Sequence, residues 1–272
     1  MTLRFACALF LGFYASALLA EPATIVVPGE QRPKITVIDQ TAMRGFAQDR
    51  ITYITFHHEG FAGNDAALFA KASKARLRQS ASQRVLNINA YHAKEAGLGM
   101  IAYHYAVGPD GSIVKGRPVR FKPATKSTAL GSKKLADFDG HFAVMALGDF
   151  THERLTDAAR LSMVKVMSEA QRLYQVPTAH IQPHMAHAQT ACPGAHIMEE
   201  AEALARMVMS YSLQAELSAR GCGPITPDGL IGKRSLAEFE RFRQSAGGQF
   251  SSKTPEDAAL MEMLAKPDLR CK

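Results

Sequence analysis

An α/β domain followed by a small, disulfide-stapled helical domain is what this 272-residue sequence predicts, on three observations. Short β-branched runs alternate with helical stretches up to about residue 208. From about Leu213 the texture changes to helical pieces around a Gly/Pro-rich loop. Cys7 falls in an apolar leader, which leaves Cys192, Cys222 and Cys271 for the rest of the chain. The expected segments are therefore a leader over residues 1–20, an α/β domain over 21–208 and a helical domain over 209–272.

The leader, MTLRFACALFLGFYASALLA, has one basic residue (Arg4), an apolar run and small residues at its end, the pattern of a secretory signal. Cleavage after Ala17 or Ala20 would remove it. A lipoprotein signal fits worse, because Cys7 sits inside the apolar run with Arg4 where an aliphatic residue is needed. No other stretch approaches the ~18 apolar residues of a membrane span, so the mature protein is expected to be periplasmic or secreted, without stable membrane insertion. An oxidising compartment favours one disulfide. The expected pair is Cys222–Cys271, which closes a loop of about fifty residues, worth roughly 4 kcal/mol in the chain-entropy model. Cys192 then needs another purpose, and metal ligation is one. The net charge of +7 suits an acidic polymer or surface, but Lys and Arg are spread along the chain and no run specifies nucleic acid.

Within the α/β region, ITYITF at residues 51–56 reads as a strand that runs straight into His57-His58. Residues 66–96 have helical composition, with a break near Ser80 to Ser82. IAYHYAVGPDGSIVKGR at 101–117 is a hairpin around a Gly-Pro-Asp-Gly turn. HFAVMALGDF at 141–150 is a further apolar strand. Thr156 is positioned to cap DAARLSMVKVMSEAQRLY, with Leu161, Val164, Met167 or Ser168, and Leu173 close to one face, and Pro177 ends that helix.

The chemistry concentrates in HIQPHMAHAQTAC, residues 180–192. Catalytic zinc sites use three protein ligands, with His and Cys preferred, and keep the fourth position for water. This stretch can supply two ligands, and His57-His58 is the best source of the third. Pro183 and the Cys192-Pro193-Gly194 turn argue against one continuous helix, so spacing alone leaves His180, His184 and His187 open.

The His pair ending the first strand, IAYHYAVGPDGSIVKGR in the middle and the H-x7-C-P-G run of His184 to Gly194 together resemble the type 2 N-acetylmuramoyl-L-alanine amidases, the family of phage T7 lysozyme and the peptidoglycan recognition proteins. The likeness covers roughly residues 50–208. It implies a mixed β-sheet flanked by helices and a zinc ion held by His57, His184 and Cys192. It also implies an active-site tyrosine at Tyr103, with Thr190 in a supporting role at the oxyanion. The implied activity is hydrolysis of the amide between N-acetylmuramic acid and L-alanine, with peptidoglycan or muropeptides as partners. His58 becomes structural, and strand alternation independently keeps the two histidines from facing one metal. His92 and His104 are read as packing residues.

The chain also departs from the family. The segment after Arg117 lacks the histidine many relatives carry there, and Ala146 stands where some place a catalytic glutamate. Further on, DGLIGKRSLAEFERFR resembles the peptidoglycan-binding domain 1 family, through Asp228, Gly229, Gly232 and Phe242. Ser235 replaces its threonine as an expected helix cap, and Glu238 and Arg243 depart. The competing expectations are a protein that recognises peptidoglycan without cleaving it, and a zinc peptidase acting on stem peptides.

Overall fold

The central strand, β1 (Tyr53–His58), pairs in parallel on both sides, with β4 (His141–Ala146) and β5 (Ile181–Pro183). β2 (Tyr105–Val107) extends the sheet in parallel beside β4, and β3 (Ile113–Lys115) closes that edge antiparallel, giving the order β3-β2-β4-β1-β5. The computed structural model describes residues 21–125 and 138–272. The expected signal peptide, and residues 126–137 of the segment after Arg117, lie outside the described residues. No helix among the described residues is long and apolar enough to cross a membrane.

Local chemistry accounts for most element boundaries. The hairpin forms as expected, with Gly108 N–H donating to Ser112 O (2.8 Å) and Gly111 N–H to Gly108 O (2.9 Å). Its first strand is shorter than the alternating run, since Tyr103 and His104 lie in the bend that leads into β2. A short turn of helix, α1 (Gln40–Met43), precedes β1, and the stretch over 66–96 divides into α2 (Ala66–Arg76) and α3 (Ala81–Lys94). Asp65 and Ser80 cap these two by accepting from Leu68 and Gln83 N–H. α2 buries none of its residues, whereas α3 buries Ala81, Arg84, Val85, Asn89 and Ala93 along one face.

α4 (Asp157–Tyr174) is capped by Thr156, whose Oγ1 accepts from Ala159 N–H at 3.0 Å, and it ends at Gln175 in the left-handed conformation before Pro177. Its buried face differs from the expected one. Val164, Met167 and Ser168 are buried, but Leu161 and Leu173 stay 40% and 45% exposed. The helix is wedged between β4 and α6, and so buries a wider stripe that includes Met163, Val166 and Ala170. After β5 the chain forms α5 (Ala195–Glu199) and α6 (Ala201–Ala219), then α7 (Lys233–Ala246) and α8 (Asp257–Ala265).

One helix serves two cores. Leu204, Val208 and Tyr211 of α6 pack in the core between sheet and helices, with Ile54, Phe56 and Val144. Leu213 and Leu217 of the same helix pack with Cys222, Phe239, Phe242, Leu260 and Met263 in a second core. Residue 208, where the α/β domain was expected to end, therefore lies inside a continuous helix. The Cys222–Cys271 disulfide is present and staples the second core. Arg220, 4% exposed, reinforces it by donating to the carbonyls of Met263, Lys266 and Leu269 at the end of α8.

Gln214 on α6 organises the DGLIG loop. Its Oε1 accepts from Asp228 and Gly229 N–H (2.9 and 3.0 Å), and its Nε2 donates to Asp228 Oδ1 and Ser235 Oγ (2.8 and 3.0 Å). Ser235 is thus not the expected cap. Gly232 occupies the cap position, and Ser235 uses its hydroxyl to accept from the buried Gln214 amide, alongside Asp228 Oδ1 and Leu230 O. α8 reaches back to the sheet: Asp257 accepts from Thr178 N–H and Oγ1 (2.8 and 2.5 Å), at the turn that feeds β5.

Candidate metal centre

Alternation along β1 sends Ile54, Phe56 and His58 to one face and Thr55 and His57 to the other. β5 lies parallel beside β1, so the two strands end on the same edge of the sheet, and the residue following β5 is His184. The loop after His184 returns through a Met185 N–H to Cys192 O hydrogen bond of 3.0 Å, which brings Cys192 back to the strand end. Gly194, with φ 91°, closes this loop against Phe150. A Cβ there would lie 2.5 Å from the Phe150 carbonyl carbon. The Cys192–Pro193 peptide is cis.

His57, His184 and Cys192 meet as a result, each with one donor atom within 4.8 Å of those of the other two. His57 Nδ1 lies 3.7 Å from Cys192 Sγ. Tetrahedral zinc, with bonds of about 2.0 Å to nitrogen and about 2.3 Å to sulfur, sets donors about 3.5 Å apart, and two imidazoles with one thiolate are a donor set zinc prefers. The residues present therefore fit the ion. His57 Nε2 is 3.2 Å from Thr55 Oγ1, so a proton on Nε2 is held there and Nδ1 is left for the metal. Burial, reinforced by the neighbouring imidazoles of His184 and His141, holds His57 well below the usual histidine range and keeps it neutral, the form that ligates. Burial pushes the Cys192 thiol up to about 12, against the lowering effect of the His58 backbone N–H, which donates to Sγ at 3.4 Å.

His58 turns away from this centre. Its Nδ1 accepts from Phe150 N–H at 3.3 Å and sits 3.8 Å from the buried Asp149 carboxylate. Burial lowers its pKa against the raising effect of Asp149, so the neutral ring is an acceptor and not half of an ion pair. Gly60 folds over it in the left-handed region, where a Cβ would come 2.6 Å from His58 Nε2. His180, Tyr53 and His141 stack at 4.4 and 4.8 Å further down the same face as His57, with His187 edge-on to His141. His180 and His187 are thus neighbours of the centre. His104 is fully buried, with Nε2 on Phe121 O and Nδ1 accepting from Ala143 N–H. His92 accepts from Ala102 N–H.

Tyr103 borders the cluster of His57, His184 and Cys192, its ring 5.0 Å from that of His57. Burial, with the charges of Cys192 and Glu59 behind it, holds its phenol above the usual range, so it keeps its proton. Thr190 is brought to Cys192 itself: its Oγ1 accepts from Cys192 N–H at 3.1 Å. Beyond Tyr103 opens a cavity of about 540 Å³, walled by Glu59, Gly60, Arg76, Arg84, His92 and Tyr103 among others. Glu59 accepts from Arg76 Nε at 2.8 Å and from Arg84 Nη2.

Residues 47–195, just over half the chain, match the family model described as N-acetylmuramoyl-L-alanine amidase. The chain belongs to that family. Similar proteins include peptidoglycan-recognition protein SC2 of Drosophila simulans and of Drosophila melanogaster, each 27% identical over 151 residues, 55% of this chain and 72% of the relative. Among solved structures, an endolysin N-acetylmuramoyl-L-alanine amidase from Clostridium intestinale aligns at 19% identity over 66% of this chain and 97% of its own, with a TM-score of 0.41. Drosophila PGRP-LB aligns at 17% identity over 57% and 81%, with a TM-score of 0.42.

Sequence reasoning missed Thr55 and the Glu59, Arg76 and Arg84 group. For Thr55 a signal existed, because strand alternation puts it on the same face as His57. For Glu59 the signal was an acid directly after the histidine pair. No spacing rule pairs residue 59 with residues 76 and 84 on two separate helices.

Proposed function

We propose that this chain is an exported, zinc-dependent N-acetylmuramoyl-L-alanine amidase that releases the stem peptide of peptidoglycan by hydrolysing the amide between N-acetylmuramic acid and L-alanine. The observation that carries the reading is the convergence of His57, His184 and Cys192 donor atoms within 4.8 Å, beside a cavity walled by Tyr103. Zinc, when bound, supplies a Lewis acid that polarises the scissile carbonyl and makes a water more acidic.

The chain's own residues do the rest. Thr55 orients the His57 ring, and the His58 backbone N–H supports the Cys192 thiolate. Tyr103, protonated because burial raises its pKa, donates to the oxygen that gains charge as the carbonyl carbon becomes tetrahedral. Thr190 accepts from Cys192 N–H, which leaves its own hydroxyl proton for a second donation to that oxygen. Ala146, at the end of β4, brings no carboxylate to the reaction. The leader over residues 1–20 and the Cys222–Cys271 disulfide support export to a periplasmic or extracellular site. Residues 209–272 serve as a second peptidoglycan contact that raises the local substrate concentration. Sharing α6 with the sheet core, this contact has a set orientation and is not a free tether.

The deciding experiment is digestion of intact peptidoglycan with product masses read out. Free stem peptides are expected, lost on chelation and restored by zinc. Cut cross-links would make the chain a peptidase, and tight wall binding with no product would make it a recognition protein.

A further inference from the structure

Of the two strands that deliver histidine donors, β5 is the weaker. It runs for only three residues, Ile181–Pro183, at the edge of the sheet, with β1 as its one strand neighbour among the described residues. Pro183, its last residue, has no N–H to give to a ladder. His184 follows directly. Three residues of ladder are a loose constraint on the residue that comes next, so β5 depends on the segment that leads into it.

That segment is a single helical turn, Thr178–His180, and it is held from the C-terminal domain. Asp257, the first residue of α8, accepts at one carboxylate oxygen from both Thr178 N–H (2.8 Å) and Thr178 Oγ1 (2.5 Å). The same hydroxyl accepts from Gln171 Nε2 of α4 at 3.2 Å, and Gln171 Oε1 accepts from Ser212 Oγ of α6 at 2.7 Å. Gln171 and Ser212 are fully buried. Four side chains thus make one continuous run of hydrogen bonds from α6 through α4 and the turn to α8. It ends on a carboxylate, where such bonds are strongest. α8 is itself fixed, because Ala259, Leu260 and Met263 pack in the second core and Arg220 ties down its C-terminal end.

We infer that Asp257 is a positioning residue for the metal centre: by fixing the turn at Thr178 it sets where β5 ends and so where His184 stands. The C-terminal domain is then a working part of the metal site as well as a second wall contact. Both Thr178 groups are only partly buried, so water can replace the lost acceptor and the fold survives its removal. What changes is the freedom of the turn. Part of the zinc binding energy would go into ordering it, which weakens affinity with all three donors still in place. The effect on zinc rests on the zinc-amidase reading, whereas the anchoring of β5 rests on the Asp257 bonds alone.

The test measures two properties of the full chain. Zinc affinity is read by competition with a chromogenic chelator, and amide exchange over residues 178–185 of the metal-free protein is read by mass spectrometry. Asp257→Ala is expected to weaken zinc binding about threefold to tenfold, less than the loss of a group bonded to a ligand, and to speed exchange over that segment. Asp257→Asn keeps the acceptor oxygen and should restore most of both. Thr178→Val removes the hydroxyl from the α/β side of the bond. It should weaken zinc binding in the same direction, add little in the double variant, and serve if Asp257→Ala fails to fold. Phe239→Leu loosens the second core without touching Asp257, so it should lower the melting temperature and leave zinc affinity within about twofold of the parent. Unchanged zinc affinity in folded Asp257→Ala and Thr178→Val, or an equal loss in Phe239→Leu, would overturn the positioning role and leave the zinc centre intact. A parent chain that binds no zinc would sink the zinc reading. Faster exchange in Asp257→Ala, reversed in Asp257→Asn, would then still support the anchoring of β5, and unchanged exchange would overturn that as well.

Discussion

The two faces of β1 and β4 are made from the same two strands and do opposite work. Toward α4 and α6 the strands present Ile54, Phe56, Phe142, Val144 and Ala146, all fully buried in an apolar core. On the other face lie Tyr53, Thr55, His57 and His141, with His180, His184 and His187 packed against them. A one-residue shift of register would exchange the faces. The apolar face therefore holds the polar face to its geometry, and histidine chemistry depends on which side of the pleat a ring falls. His57 and His58, adjacent in sequence, are the sharpest case.

The largest expected effect breaks that pair apart. His57→Ala removes a metal donor and should lower amidase activity by at least about a thousandfold, with zinc content falling below one per chain. His58→Ala leaves the donors in place. It should keep zinc near one per chain and cost about 1–3 kcal/mol of stability, because Phe150 N–H loses its acceptor. Metal analysis and thermal melting of the two proteins separate the roles. Equal zinc loss in both would mean that the faces are not independent.

How far the sequence alone carries this picture depends on the range of the interaction. The hairpin at Gly108 to Gly111, the Thr156 cap and the break before α3 are local, and each formed where turn or cap chemistry places it. Distant partners were readable only where the residue type is rare and its chemistry narrow. That holds for Cys222 with Cys271, and for the meeting of His57, His184 and Cys192, three residues that family resemblance and not spacing singled out. What stayed hidden depends on packing from two sides. Leu161 and Leu173 look like core residues until α6 is known to cover a different stripe of α4. Ser235 looks like a cap until Gln214 claims its hydroxyl.

Acid should strain the histidine-bearing layer next. His104 and His141 are 0% and 5% exposed, and burial pushes both down to about 3, helped at His141 by neighbouring imidazoles. Both folded-state values lie below the unfolded value of about 6.5, so below that pH the unfolded chain binds protons that the folded chain refuses. Stability present above pH about 6.5 is then lost as pH falls toward about 3, at about 1.4 kcal/mol per pH unit for each histidine. Between pH about 6.5 and about 4.5 the two together remove about 5 kcal/mol, read as a falling denaturation midpoint. His141→Gln should flatten the slope by about half. An unchanged slope would show that His141 is protonated in the fold.

The smallest effect is also the finest probe of the polar face. Thr55 is fully buried and does not line the cavity, yet its Oγ1 lies 3.2 Å from His57 Nε2. Thr55→Val keeps the β-branched shape that suits the strand and removes only the acceptor. His57 would then lose the bond that fixes its ring and places its proton away from the metal-facing Nδ1. Zinc affinity, measured by competition with a chromogenic chelator, should fall about tenfold to hundredfold. At saturating zinc the activity should recover most of the way, since Tyr103 and the cavity are untouched. Thr55→Ser restores the hydroxyl with a smaller side chain and should bring the affinity back. Were Thr55→Val to bind zinc as the parent does, ring packing against Tyr103 and His184 would be enough to orient His57, and the hydroxyl would be incidental.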